Sequence, residues 1–264
     1  MITTLISDFG HGDNSVAVAK GILLQQNPHM QFVDISHDVP PYSLIRCSYL
    51  FKSAYTFFPE NTVHVSLFDV MKQLPAVVLL TKINNQIIIS ADNGFIGYTF
   101  PESNAAIWKY QDSESPSFAA WLHHVARLIQ DLEKHHFDFR TVKLEAYQSE
   151  IVVNPIQASV KENSVECHTL HVDRFGNVVV NITKEAFEAI RKDRAFTITI
   201  PKNPPLNTIV QNYDQVVEGM QFAIFNSAGF LEIGVKNASA ADLLGLRVYE
   251  EGNMIYSTIK INFL

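Results

Sequence analysis

The rhythm of apolar and polar positions changes once along this chain, a little past its middle. In the leading part, short β-branched runs alternate with stretches of helical period. Residues 2–6 form an apolar run that stops at Ser7-Asp8-Phe9-Gly10, and residues 16–26 then read as a helix ended by Asn27-Pro28. Residues 31–36 predict a second strand, followed by a proline-stiffened loop, His37-Asp38-Val39-Pro40-Pro41-Tyr42. A helical pattern over 43–57 leads to a third strand at 63–68, which stops at Asp69. The runs at 77–80 and 86–91, joined through Asn84-Asn85, predict a hairpin. Residues 117–134 give the clearest amphipathic helix, with Phe118, Leu122, Val125, Ile129 and Leu132 on one face. Strand and helix in alternation predict an α/β domain with a largely parallel sheet.

Between about 140 and 158 the pattern lapses into polar and proline-containing sequence. We place an α/β N-terminal domain at 1–147, a linker at 148–158 and a β-rich C-terminal domain at 159–264. The trailing part carries short strands at 165–171, 178–182, 195–200, 221–225, 231–235 and 255–261. Helices there are few: 184–192 after Thr183, and 240–244 closed by Gly245. Such a sequence predicts a mainly antiparallel β domain of ordinary size.

Composition narrows the function classes. A chain of 264 residues is long for a single core, in keeping with two domains. A net charge of −7 and a pI near 5.8 argue against nucleic acid or an anionic membrane surface as the main partner. Cys47 and Cys167 stand far apart with no Cys-x-x-Cys, so they read as small buried hydrophobes in a reducing compartment. No stretch approaches the roughly 20 apolar residues of a spanning helix, and the N-terminus lacks the pattern of a signal peptide. The expected location is the cytoplasm.

Candidate chemistry gathers at strand ends. Asp8, Asp69 and Asp92 each follow a predicted strand, and in open α/β sheets ligands bind at the carboxyl edge. Such acids suit ribose hydroxyls or a magnesium ion, though three oxygen ligands without further pattern lead us to expect no metal. The plainer role for each is to cap the next turn, and we assign that role to Asp92. Gly10-His11-Gly12-Asp13-Asn14-Ser15 nearly matches a dinucleotide fingerprint, with Asp34 about 20 residues on as the ribose acid. Ser15 stands where the third glycine belongs, and Asp34 reads more simply as a strand-end cap. His37, beside Asp38, is either an acid–base group or a residue that orients its loop by a hydrogen bond, the second being the plainer role. His123-His124 and His135-His136 lie on a solvated helix face and at a helix end.

The run Ser7-Asp8-Phe9-Gly10, with Val33-Asp34-Ile35-Ser36-His37-Asp38-Val39-Pro40-Pro41, resembles the S-adenosyl-L-methionine hydroxide adenosyltransferase family, which includes the bacterial fluorinase and chlorinase. The resemblance continues through Phe58-Pro59-Glu60-Asn61-Thr62-Val63-His64-Val65 and Ala91-Asp92-Asn93-Gly94. It returns at residues 171–182, which contain Asp173-Arg174-Phe175-Gly176-Asn177, and at Asn226-Ser227-Ala228-Gly229-Phe230-Leu231-Glu232-Ile233. These blocks follow family order across nearly the whole chain.

What the resemblance implies is an α/β N-terminal domain and a smaller β-barrel-like C-terminal domain, assembled as a homotrimer. S-adenosyl-L-methionine would lie between one subunit's N-terminal domain and a neighbour's C-terminal domain, as substrate or ligand, with no further cofactor. By matching position, Asp8 would hold the two ribose hydroxyls and Tyr42 would line the pocket beside them. Asp173 would meet the methionine ammonium, Asn177 the adenine edge and Ser227 the amino-acid end. Water or hydroxide would displace methionine at ribose C5′ to give adenosine. Family hydrolases resemble one another in an Asp-Arg-His set that positions this water, and Asp69 matches its Asp. The chain departs at the other two places. The loop Val70-Met71-Lys72-Gln73-Leu74-Pro75-Ala76 has no arginine, leaving Lys72 as its cation. Asp112-Ser113-Glu114-Ser115-Pro116-Ser117 stands where the histidine segment belongs. Asp69 also opposes a halide, so the halogenase chemistry is not expected. A hydrolase is the leading expectation, with a non-catalytic adenosyl-ligand sensor beside it and a dinucleotide oxidoreductase behind both.

Overall fold

Two sheets organise the chain, each inside its own unit. A computed structural model describes residues 1–246 and 257–264, and these divide into units of 1–155 and 156–264.

The first unit runs β1 (Ile2–Ile6), α1 (Ser15–Gln26), β2 (Gln31–Ser36), α2 (Leu44–Tyr55) and β3 (Val63–Ser66). It continues with β4 (Leu79–Ile83), β5 (Gln86–Ser90), α3 (Phe95–Thr99), β6 (Trp108–Tyr110), α4 (Phe118–Lys134) and β7 (Leu144–Ala146). Its seven strands lie in the order β2-β1-β3-β5-β4-β6-β7. The pairs β2–β1, β1–β3 and β3–β5 are parallel, while β5–β4, β4–β6 and β6–β7 are antiparallel. The sheet is therefore mixed, which corrects the expectation of a largely parallel one. The reason is local: Asn84 and Asn85 both adopt positive φ and close a two-residue hairpin, which reverses the chain. The two short strands β6 and β7 then extend that antiparallel half, β7 in the stretch where the apolar pattern lapses.

Core packing follows from the apolar faces. On α4, Trp121, Leu122, Val125, Ala126, Leu128, Ile129 and Leu132 are buried against one side of the sheet's central strands. Ser117 caps the helix by accepting from the Ala120 N–H at 3.2 Å. Trp121 Nε1 donates to the Val77 carbonyl at 3.0 Å, so its polar edge is satisfied inside the core. A second cluster, with Phe51, Phe95 and Ile88, joins α2 and α3 to other sheet residues.

His64 in β3 is fully buried, its ring nitrogens 2.7 Å from Thr4 Oγ1 and 2.7 Å from Gln86 Oε1. Burial pushes its pKa down to about 4, against a weaker opposing pull from the Gln86 bond. In the unfolded chain the imidazole regains its ordinary value near 6.5, so the unfolded state takes up the proton first. Stability is expected to be full above that value and to fall as the pH drops toward 4. The full loss is about 3 kcal/mol. Urea titrations across this range should show the slope in the wild type and not in His64→Gln.

The second unit comprises β8 (Ser159–Lys161), β9 (Ser164–Val172), β10 (Val178–Thr183), α5 (Lys184–Arg191), β11 (Phe196–Thr199), β12 (Gln221–Phe225), β13 (Phe230–Val235), α6 (Ala240–Leu243) and β14 (Thr258–Phe263). Positions 255 and 256 of the strand expected at 255–261 lie outside the described residues. The strand order is β11-β14-β9-β10-β13-β12, with β8 paired to β9, and every pair is antiparallel. The sheet curls into a half-barrel around a core that includes Val165, Val180, Phe187, Leu231, Ile233 and Ile261. Its edge strands β11 and β12 are met by single bridges at Leu206 and Val210, so the ladder is not closed among the described residues.

Candidate functional site

The parallel half of the first sheet brings three acids to one edge. Asp8, Asp69 and Asp92 follow β1, β3 and β5, which are hydrogen-bonded neighbours. Among them the structure joins Asp8 to Asp69: the Asp69 N–H donates to Asp8 Oδ1 at 3.4 Å. Asp69 holds a φ of +52°, a left-handed conformation that suits Asp and Asn better than most side chains. Asp92 instead accepts from Tyr147 Oη at 2.7 Å and from the Ser149 hydroxyl. The turn after β5 is held by Asn93, whose Oδ1 accepts from the Phe95 N–H, so Asn93 has the capping role expected of Asp92. Among the described residues no three His, Cys, Asp or Glu side chains gather to hold a metal ion.

Electrostatics single out Asp8. Burial pushes its carboxyl above the ordinary value, hydrogen bonds from two backbone N–H groups pull it back, and the Asp69 charge adds a smaller rise. Cys47 of α2 lies close enough that its thiol, raised mainly by burial, is raised further by Asp8 and meets the Ser66 side chain. It is a buried, neutral neighbour of the acid.

Tyr42 is exposed and holds a φ of +62° at the end of the proline loop. Lys72 lies in a short 3-10 turn after Asp69, with Nζ 4.7 Å from the Tyr42 ring centroid. The structure thus couples the two as a cation–π pair. His124, expected on a solvated helix face, is half-buried with Nδ1 2.8 Å from Ser115 Oγ. Ser115 also exchanges two backbone bonds with Ala76, which ties residues 112–117 to the end of the loop after Asp69.

Asp34 is paired on both sides. Lys20 Nζ lies 2.6 Å from Oδ2 and His37 Nε2 lies 3.1 Å from Oδ1. A carboxylate so committed is neither the strand-end cap expected nor the free ribose acid that the dinucleotide reading needs, and that reading loses its main support.

In the second unit, Asp173 and Asn177 close the turn between β9 and β10. Asp173 Oδ1 accepts from the N–H groups of Phe175 at 2.9 Å and Asn177 at 2.8 Å, and Oδ2 accepts from Asn177 Nδ2 at 3.2 Å. An ionised carboxylate has about four acceptor sites, so roughly one is left for a ligand. Gly176 permits the turn with a φ of +81°, and a Cβ there would press on Ser239. Asp173, Phe175, Asn177, Tyr213, Phe222 and Ser239 line a cavity of about 690 Å³, within the usual size of a small-molecule site. A Cβ on Gly234 would lie 2.2 Å from the Phe222 ring and 2.7 Å from Asn177 Oδ1, so this wall requires glycine.

Ser227 does not line that cavity. It is exposed in a turn closed by Asn226, whose Oδ1 accepts from the Ala228 and Phe230 N–H groups. A bridge through the buried Glu232 connects the two places: Tyr213 Oη donates to Glu232 Oε1 at 3.0 Å and Asn226 Nδ2 donates to Glu232 Oε2 at 3.3 Å. Burial raises the Glu232 carboxyl, with Asp173 adding to the rise, and Tyr213 is pushed up to about 12 by burial and then by Glu232. Sequence reading missed both residues. Glu232 left one signal, a charge between Leu231 and Ile233 in an apolar strand, whereas the sequence around Tyr213 has no periodicity to mark it.

Comparison with known proteins bears on the family and the fold. The (R)-S-adenosyl-L-methionine hydrolase of Methanocaldococcus jannaschii is 25% identical, covering 97% of this chain and 96% of its own. The protein of the same name from Thermus thermophilus is 25% identical over 92% of this chain and 94% of its own. A solved structure from Thermotoga maritima, described as an uncharacterized conserved protein, shares the fold with a TM-score of 0.80 at 24% identity, covering 99% of this chain and 100% of that one. The models for the SAM hydroxide adenosyltransferase N-terminal and C-terminal domains match residues 3–132 and 167–252, so the chain belongs to the SAM hydroxide adenosyltransferase family.

Proposed function

We propose that the protein hydrolyses S-adenosyl-L-methionine to adenosine and L-methionine. The observation that carries this reading is the Asp8–Asp69 pair at the ends of β1 and β3, in a chain whose relatives are named as hydrolases of that molecule. Asp8 accepts the two ribose hydroxyls through its carboxylate. Asp69 holds a water in line with C5′ and takes its proton as the new C–O bond forms. The C5′–S bond breaks with its electron pair passing to sulfur, so methionine leaves as a neutral thioether and needs no acid. Lys72 supplies a cation near the Tyr42 ring, and the protein's main contributions are alignment and partial exclusion of water.

Asp173 takes the methionine ammonium at its remaining acceptor site, Asn177 the adenine edge and Ser227 the amino-acid end. In this proposal three copies assemble, and each ligand meets Asp8 from one subunit and Asp173 from its neighbour.

A second reading is favoured by one observation. The loop after Asp69 contains no arginine, and its lysine is stacked on Tyr42. This fits a binder that senses an adenosyl ligand without cutting it. Incubating the pure protein with S-adenosyl-L-methionine and following adenosine by chromatography, with calorimetry in parallel, decides between the two. Adenosine released in multiple turnovers supports the hydrolase, whereas tight binding without product supports the sensor.

A further inference from the structure

Next to Asp8 lies a chain of polar groups, buried at Ser7 and His37 and opening to the surface at Asp34 and Lys20, that the proposed reaction does not use. Ser7 Oγ is 2.7 Å from His37 Nδ1, His37 Nε2 is 3.1 Å from Asp34 Oδ1, and Asp34 Oδ2 is 2.6 Å from Lys20 Nζ. Serine, imidazole and carboxylate follow in the order of a nucleophilic triad. Ser7 is 0% exposed and His37 1%, so no substrate reaches that hydroxyl. A covalent role is excluded on access alone.

The partners favour one tautomer of the imidazole. Asp34 can only accept, so Nε2 carries the imidazole proton, although its contact is bent short of a linear hydrogen bond. Nδ1 is then the acceptor, and the Ser7 O–H donates to it. With its hydrogen turned toward His37, Ser7 Oγ keeps its lone pairs for the N–H of Phe9, at 3.4 Å. That is a serine turn spanning residues 7–9, with Asp8 at its centre.

His37 grips the far end of the same segment. Its carbonyl accepts from the Gly10 N–H at 2.7 Å, where Gly10 holds a φ of +70°. The Val39 N–H donates to the Ser7 carbonyl and the Ser7 N–H to the Ser36 carbonyl. One residue therefore clamps both flanks of Asp8, by its ring at Ser7 and by its backbone at Gly10. Asp34 and Lys20 anchor the ring from β2 and α1.

We propose that His37 is a positioning residue that aims the Asp8 carboxylate through the Ser7 hydroxyl. This rests on the reading that Asp8 holds the ribose diol, and it makes the diol the feature whose recognition depends on the clamp. A residue that merely supports the fold weakens all ligands alike. A positioning residue weakens only those that use Asp8.

The test compares adenosine with 2′,3′-dideoxyadenosine by calorimetry. The wild type is expected to prefer adenosine by about 100-fold, as two charge-assisted hydrogen bonds allow. Ser7→Ala should cut that preference about tenfold or more and leave the dideoxynucleoside affinity unchanged, and Ser7→Thr should restore it. His37→Asn keeps an acceptor near the Nδ1 position and should retain most of the preference. His37→Gln, which reaches Asp34 and not Ser7, should lose it. A preference unchanged in both Ser7→Ala and His37→Gln, or an equal loss for both nucleosides, overturns the proposal. Failure of the wild type to bind either nucleoside overturns the ribose reading of the site, and the proposal with it.

Discussion

Asp69→Asn is expected to lower adenosine release by at least about 100-fold while the affinity for S-adenosyl-L-methionine changes only a few-fold. Asparagine is one of the few residues that tolerates the left-handed conformation seen there, at a φ of +52°, so the backbone has no reason to move. The bond from the residue 69 N–H to Asp8 Oδ1 is a backbone bond and survives the change. What disappears is one negative charge and the capacity to take a proton from the attacking water, a contribution usually worth 10²- to 10⁴-fold. Single-turnover rates and calorimetric affinities measured on the same preparation separate the two quantities. If adenosine is released at the wild-type rate, Asp69 is not the group that handles the water. Should the wild type itself release none, the sensor reading gains what the hydrolase reading loses.

Asp8→Ala is expected to act on binding. Two hydrogen bonds from ribose hydroxyls to a carboxylate are lost, and about 3 kcal/mol, or roughly 100-fold in affinity, is the expected cost. The change also removes the acceptor of the Asp69 N–H, so the loop after β3 loses an anchor. A pH dependence accompanies this prediction. Burial, supplemented by the Asp69 charge, holds the free Asp8 carboxyl above its ordinary value of 3.8. The ligand needs the ionised form, so affinity is full above this raised value and falls as the pH drops through it. In Asp8→Ala that acid limb should vanish from the binding profile. An identical limb in both proteins would assign it to another group, with the buried Glu232, also raised by burial, as the next to test.

Seen along the chain, the elements were legible wherever one periodicity dominated. The α4 face was readable because its apolar positions recur at helical spacing and are all turned to one core. Likewise, β5 and the Asn84-Asn85 hairpin carry local signals, an apolar run and a two-residue turn. The extension of the antiparallel half beyond that hairpin was not legible, because β6 and β7 are three residues each and draw their stability from a neighbouring strand. Residues such as Trp108 and Leu144 become strand residues only when that edge is there to pair with.

The same division runs through the candidate site. Strand-end patterning singled out Asp8 and Asp69, since an acid where an apolar run stops is a local pattern with a local reason, while Asp173 and Asn177 came only from the family resemblance. Only the tertiary structure decided what touches them: Tyr213 and Glu232 beside the Asp173 cavity, Lys72 over Tyr42, and His37 clamping the turn around Asp8. Those partners lie 19 to 30 positions apart where they bond or stack, as with Tyr213 and Glu232, Lys72 and Tyr42, or Ser7 and His37. Hydrogen bonds and ring contacts depend on distance in space, so a linear pattern can mark the groups that need partners without naming the partners they meet.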